Sequence, residues 1–296
     1  MAGHVARVRA RLALVAHRKV RGLLEGQYAA TQTGRGIDFN DLRTYVRGDD
    51  VKDIDWKATA RSREPLVRRY VTERRHTLWL VVATGRELAA AAPDRSPKVA
   101  LALDVAGTLG VLAAGQGDRV GLVHGPHEQH HVLPARAGEL HLERLLTAAE
   151  AGCLPESPPH DLVGLLDHAA RSIRGRGLML LVTGVPDERR SADMRALVRR
   201  LAAQHEVLAV TIGDLDPTAV DATERGSDLD SAHELPRWLA GDLQVREQLL
   251  SRTASDLAAY AEALTASGVV HAHVESADGV LPAVVALLER HRRARR

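Results

Sequence analysis

The sequence predicts an α/β fold, a mostly parallel sheet with helices on both faces, preceded by an N-terminal helix and an irregular segment. Three observations carry that expectation. From residue 76 onward, short apolar runs alternate with longer stretches of helical periodicity, the rhythm of β-α-β units. The chain has 296 residues, 45% of them apolar, enough to bury roughly three quarters of its unfolded surface without a staple or structural metal. Five of its eight aromatic residues (Tyr28, Phe39, Tyr45, Trp56 and Tyr70) lie between residues 28 and 70, so that stretch must be built differently from the Ala/Leu/Val-rich remainder.

Residues 1–30 carry Val5, Val8, Leu12, Val15, Leu23 and Leu24 near helical spacing with arginines between them, which predicts a basic amphipathic helix. Its apolar stripe packs on the main domain, or the helix serves a membrane surface or nucleic acid. Residues 31–75 form the irregular segment. Residues 76–296 form the α/β domain, with strands expected at 78–83, 120–124, 131–133, 178–183, 207–212 and 269–274. Helices are expected at 97–115, 138–151, 161–174, 189–204, 243–267 and 279–293. The run His127–His131 suits a hairpin turn, making the third strand an antiparallel edge. Ligands of such a sheet bind beyond the carboxyl ends of its strands, here near Ala83, Gly125, Thr183 and Gly213. An acidic excursion at 214–242, with eight carboxylates against two arginines, is long for a connector; it reads as a solvated loop or a docking surface.

Several chemistries are excluded or unsupported. The net charge of +2 rules out a histone-like polycation, although 36 of the 40 basic residues are arginine. Cys153 is the sole cysteine, so neither an internal disulfide nor a cysteine-rich zinc site is possible. Apolar runs short of about 18 residues argue against a membrane span, no signal peptide is evident, and a cytoplasmic protein is expected. There is no phosphate-loop motif, no dinucleotide fingerprint and no G-x-S-x-G elbow. His127, His130 and His131 are the best metal-ligand cluster, but neighbouring strand residues face opposite ways. No catalytic residue and no cofactor is expected.

The informative stretch is residues 34–61, GRGIDFNDLRTYVRGDDVKDIDWKATAR, with six aspartates and six basic residues. Gly34 and Gly36 permit backbone geometry closed to other residues. Gly48-Asp49-Asp50 reads as a turn whose carboxylates cap backbone N–H groups. Ile37, Phe39, Leu42, Tyr45, Ile54 and Trp56 read as apolar anchors. Interleaved Arg and Asp would satisfy each other and the backbone, giving either an ion-pair-stitched cap or a rigid partner-recognition surface.

The pattern G-x-G-x-x-F-x-x-x-R-x-Y-x-x-G-D-D followed by I-D-W-x-x-x-A-R resembles the signature of the domain of unknown function 58 family. Here Gly34, Gly36, Phe39, Arg43, Tyr45, Gly48, Asp49, Asp50, Ile54, Asp55, Trp56, Ala60 and Arg61 carry it. The resemblance implies a Rossmann-like von Willebrand factor A-type domain and a role as adaptor for a MoxR-type AAA+ ATPase, acting on protein clients. It also implies a Mg²⁺ site of the form Asp-x-Ser-x-Ser after the first strand, completed by a Thr and an Asp from later loops. This chain departs from that pattern. Ala83, Gly85 and Glu87 stand at the first three positions, Thr183 at the later Asp, and Pro158-Pro159-His160-Asp161 at the Thr loop. With two anionic ligands gone and Arg86 adding a cation, a degenerate site is expected, either inactive or remade through Arg86 as a receiver of anions or carboxylates. An arginine-mediated nucleic-acid-binding protein is the alternative, using the N-terminal helix, Arg68, Arg69, Arg74, Arg75 and the terminal arginines. A metal-dependent enzyme built on the Asp-rich segment is a third.

Overall fold

Runs such as Leu-Trp-Leu-Val-Val, Leu-Met-Leu-Leu-Val and Val-Leu-Ala-Val-Thr-Ile suit strands covered on both faces, which have no solvated side to alternate toward. In the computed structural model they do form the centre of a sheet. The structure describes residues 3–15, 38–46, 49–50, 52, 54–62, 64–71, 76–185, 191–219, 227–229, 233–234 and 242–294. The chain divides into two units, residues 28–75 and the remainder.

The larger unit opens with α1 (His4–Val15) and continues through β3 (Thr77–Val82), α3 (Lys98–Gly115), β4 (Arg119–His124) and β5 (His131–Arg136). It runs on through α4 (Glu139–Ala151), α5 (Leu162–Ser172), β6 (Leu178–Gly184), α6 (Ser191–Gln204) and β7 (Glu206–Ile212). After β8 (Ser227–Asp228) and β9 (His233–Glu234), a short hairpin, come α7 (Leu243–Ala266), β10 (Val270–Val274) and α8 (Val280–Ala294). Six strands pair in the order β10-β7-β6-β3-β4-β5. Five are parallel, and β5 is the antiparallel edge. Pro134 lies in β5, where an outward-facing edge tolerates a residue without an N–H. Trp79 of β3 pairs with Gly121 of β4; a Cβ at Gly121 would lie 2.4 Å from the indole, so glycine makes room for the ring.

One face of the sheet (Val81, Val123, Leu181, Ala209) packs on Leu165 and Ala169 of α5, Val198 and Leu201 of α6, and Tyr260 and Leu264 of α7. The other carries α3, almost wholly buried. By length and composition α3 is apolar enough to cross a membrane, contrary to the expectation that no run is; 72% of it is buried inside the domain. Two glycines set its helix contacts. Gly107 admits Val8 of α1 and Gly110 admits Leu142 of α4, each so closely that a Cβ would clash.

Helix α1 is docked by charge as well as by Val5 and Val8, both buried. The Glu143 carboxylate of α4 accepts the backbone N–H groups of His4 and Val5, each at 2.7 Å. These are two of the four donors a helix start leaves unpaired, and a carboxylate there also meets the positive end of the helix dipole. Arg7 and Arg11 both reach the buried Asp104 of α3, and Arg9 pairs with Glu139. Glu143→Ala should destabilise the protein by about 1–2 kcal/mol, the scale of a lost N-cap. Chemical denaturation gives the magnitude, and faster amide exchange confined to α1 identifies the cause.

In the smaller unit, the segment expected to be irregular contains an antiparallel pair, β1 (Asp38–Thr44) with β2 (Leu66–Val71), bulged between Phe39 and Asp41. Its first strand, Asp-Phe-Asn-Asp-Leu-Arg-Thr, has no clean apolar alternation, so its pairing with β2 was not legible locally. Between the strands the chain turns back through a single helical turn, α2 (Trp56–Thr59).

Candidate functional site

Strand order fixes where a ligand site would lie. From β3 the chain crosses through α3 to β4 on one side, whereas from β6 it crosses through α6 to β7 on the other. The crevice of such a sheet opens between the carboxyl ends of the two strands whose connections diverge, here β3 and β6.

Three loops are tied together there. Ala83 and Thr84, both buried, follow β3, and Thr84 Oγ1 accepts the Gly125 N–H at 2.9 Å. Gly85 passes so close to the loop before α5 that a Cβ would lie 2.7 Å from the His160 nitrogen. The Arg86 N–H donates to Pro158 O at 3.3 Å and the His127 N–H to Pro159 O at 3.0 Å. His127 also approaches Asp161, which caps α5 through the Gly164 N–H. Beneath these loops lies Cys153, whose thiol donates to Ala149 O. Burial raises that thiol to about 11, against the opposing effect of a backbone hydrogen bond from Gly85, so it is no nucleophile at neutral pH.

The floor of the crevice is a buried ion cluster. Glu87 sits in the 3-10 turn Arg86–Ala89 and lays its carboxylate on Gly184 at the end of β6, where a Cβ would be 1.5 Å from Oε1. Lys98, the first residue of α3, has a side chain with 0% exposure. Its ammonium donates to Glu87 Oε1 at 3.1 Å and to Asp214 Oδ1 at 2.5 Å. His160 Nδ1 stands 2.7 Å from the other Glu87 oxygen. Burial alone would raise the Glu87 carboxyl, but Lys98 and then His160 prevail and hold it at about 2. Burial likewise works against the Lys98 charge, and Glu87 and Asp214 outweigh it, raising the lysine above its ordinary value. A lysine so held is protonated and cannot act as an amine nucleophile.

The positions that resemblance equates with a metal site are thus brought together, but not as ligands. Ala83 and Gly85 offer no side-chain oxygen, Glu87 is engaged by Lys98 and His160, and Thr183 is buried with no hydrogen-bond partner for its hydroxyl among the described residues. Thr183→Val should therefore be neutral or stabilising by up to about 1 kcal/mol, since it removes a desolvated hydroxyl; urea denaturation measures it. Among the described residues, no group of three or more His, Cys, Asp or Glu side chains is placed to hold a metal ion. Lys98 and Asp214 are the residues that sequence reasoning missed, and His160 was placed only as part of the Thr loop.

The signature residues behave as local scaffolding where they are described. Asp49 accepts the Val46 N–H, Asp50 the Lys52 N–H, and Asp55 caps α2 through the Lys57 and Ala58 N–H groups. Trp56, expected as an apolar anchor, is 65% exposed, because the Asp55 cap sets the helix start and the indole follows it outward. Tyr45 is half-buried and Arg61 exposed. Phe39 and Arg43 lie on β1, while Gly34, Gly36 and Gly48 lie outside the described residues. Within the acidic excursion, Asp214 serves Lys98, Asp216 pairs with Arg246 at 3.2 Å, and Asp242 caps α7.

Comparison with known proteins gives three similarities. The family model described as "Protein of unknown function DUF58" matches residues 41–226. Uncharacterized proteins of Mycobacterium bovis and Mycobacterium tuberculosis are 31% identical over 219 residues, 73% of this chain and 66% of theirs. A von Willebrand factor type A protein from Catenulispora acidiphila superposes with a TM-score of 0.41 at 12% identity, over 75% of this chain and 44% of that one.

Proposed function

The chain belongs to the DUF58 family, whose function is unknown, and we propose that it is a non-enzymatic protein-interaction adaptor of the cytoplasm. The partner assigned to it is a MoxR-type AAA+ ATPase, acting on protein clients in assembly or maturation; that assignment comes from the family resemblance. The supporting observation is the set of loops at the carboxyl edge, stitched to one another by Thr84–Gly125, Arg86–Pro158 and His127–Pro159. A surface fixed before its partner arrives loses little conformational entropy on binding. Arg86, half-buried on the first of those loops, is the residue assigned to receive a partner carboxylate. The arginines of α1 support the nucleic-acid alternative poorly, since Arg7, Arg9 and Arg11 are engaged by Asp104 and Glu139.

Affinity capture of the tagged protein from its native cytoplasm, at moderate and high salt, tests the reading. An AAA+ ATPase is expected at both salts, with Arg86→Ala weakening its recovery by roughly tenfold, about 1.4 kcal/mol. Nucleic acid alone, lost at high salt, would overturn the adaptor reading. Binding of every partner by the Arg86 variant at wild-type strength would remove the role given to that residue.

A further inference from the structure

We propose that the Lys98 ammonium is the fixed cation of the β3–β6 crevice, a tethered charge that takes the place of a divalent ion and makes this edge of the protein metal-independent. The residues present do not fit a divalent ion. Mg²⁺ requires near-octahedral oxygens, yet the first two positions of the expected ligand set are Ala83 and Gly85, and the later aspartate is Thr183. Glu87, at the second Ser position, already holds Lys98 at 3.1 Å through one oxygen and stands 2.7 Å from His160 through the other, and Asp161 at the Thr loop caps α5.

Lys98 itself is placed as a structural ion would be. Its side chain is fully buried, and it joins carboxylates from two loops, Glu87 after β3 and Asp214 after β7. It stands at the first residue of an 18-residue helix, where the dipole disfavours a positive charge, so the two carboxylates must outweigh the location. A second cation beside this fully buried ammonium would meet strong repulsion. Glu87 and Asp214 are therefore the carboxylates that become available if the ammonium is removed. The inference concerns the ion alone and stands whichever protein is the partner.

Mn²⁺ binding and thermal melting of the full chain test it, comparing wild type, Lys98→Met, Glu87→Gln and the double variant Lys98→Met/Glu87→Gln. Wild type is expected to melt at the same temperature in EDTA and in millimolar Mn²⁺, and to bind no more Mn²⁺ than Glu87→Gln. Lys98→Met is expected to gain one saturable site and a melting temperature that climbs with Mn²⁺, as for any ligand bound only by the folded state. The double variant should lose both gains. Should Lys98→Met not fold alone, the same test is read as refolding yield: recovery on adding Mn²⁺ supports the proposal and no recovery overturns it. Glu87-dependent Mn²⁺ uptake by wild type would overturn it as well, as would a folded Lys98→Met with no Glu87-dependent uptake.

Discussion

Lys98→Met should destabilise the protein by about 3–5 kcal/mol in the absence of added metal, the range for removing one partner of a buried ion pair. Most of that loss falls on Glu87. Its side chain is 12% exposed against 47% for Asp214, so Asp214 can turn to water whereas Glu87 stays desolvated against Gly184. The double variant Lys98→Met/Glu87→Gln should recover most of the loss, because it removes the uncompensated charge and leaves an amide that can still meet His160. Chemical denaturation of the two single variants and the double variant closes a double-mutant cycle. A coupling energy near zero would show that Glu87 does not depend on the ammonium.

Acid should unfold the protein in two stages whose order follows from the sign of each shift. His124 and His271 are each held near 4 against an ordinary 6.5, first by burial and then by His131 in one case and by His273 and Arg290 in the other. The unfolded chain therefore binds protons that the folded chain refuses, and stability falls as pH drops from about 6.5 toward 4. Glu87 acts lower. Its folded value of about 2 lies below the ordinary 4.5, so its contribution is complete above 4.5 and is lost as pH falls through 2. The shift corresponds to roughly 3 kcal/mol. Glu87→Gln should be less stable at neutral pH and should fall less steeply than wild type between 4 and 2, where Asp94 and Asp161, also held below their ordinary values, supply the remaining slope, while its decline between 6.5 and 4.5 should match wild type. Unfolding free energies measured from pH 7 to 2.5 separate the stages; an unchanged low-pH slope in Glu87→Gln would show that other carboxylates drive it.

The sheet domain was legible in sequence because its signals are local. Apolar runs such as 178–183, bounded by glycines and followed by helical periodicity, place the parallel strands within a residue or so, and the His127–His131 turn marks the antiparallel edge, although that strand, expected at 131–133, runs on through Pro134 to Arg136. The pairing of β1 with β2 was not legible, since its register depends on partners about 22–33 residues apart and one strand is mostly polar. The ion cluster was half legible. Ala83, Gly85, Glu87 and Thr183 could be aligned with the metal site that the family resemblance implies. The lysine at the centre of the cluster was not legible, because Lys98 meets Asp214 across 116 residues. A lysine opening an otherwise apolar helix, in a chain where only 4 of 40 basic residues are lysine, was the available hint.

The Glu143 carboxylate that receives the start of α1 also sets an order of events during synthesis. His4 and Glu143 are 139 residues apart, so at roughly 5–20 residues per second about 7–28 s separate their translation. During that interval α1 has neither its cap nor the α3–α4 surface that covers Val5 and Val8. A nascent helix with an apolar stripe and three arginines thus stays uncovered until its own domain can claim it. Docking of α1 consequently waits on α4, made well after it.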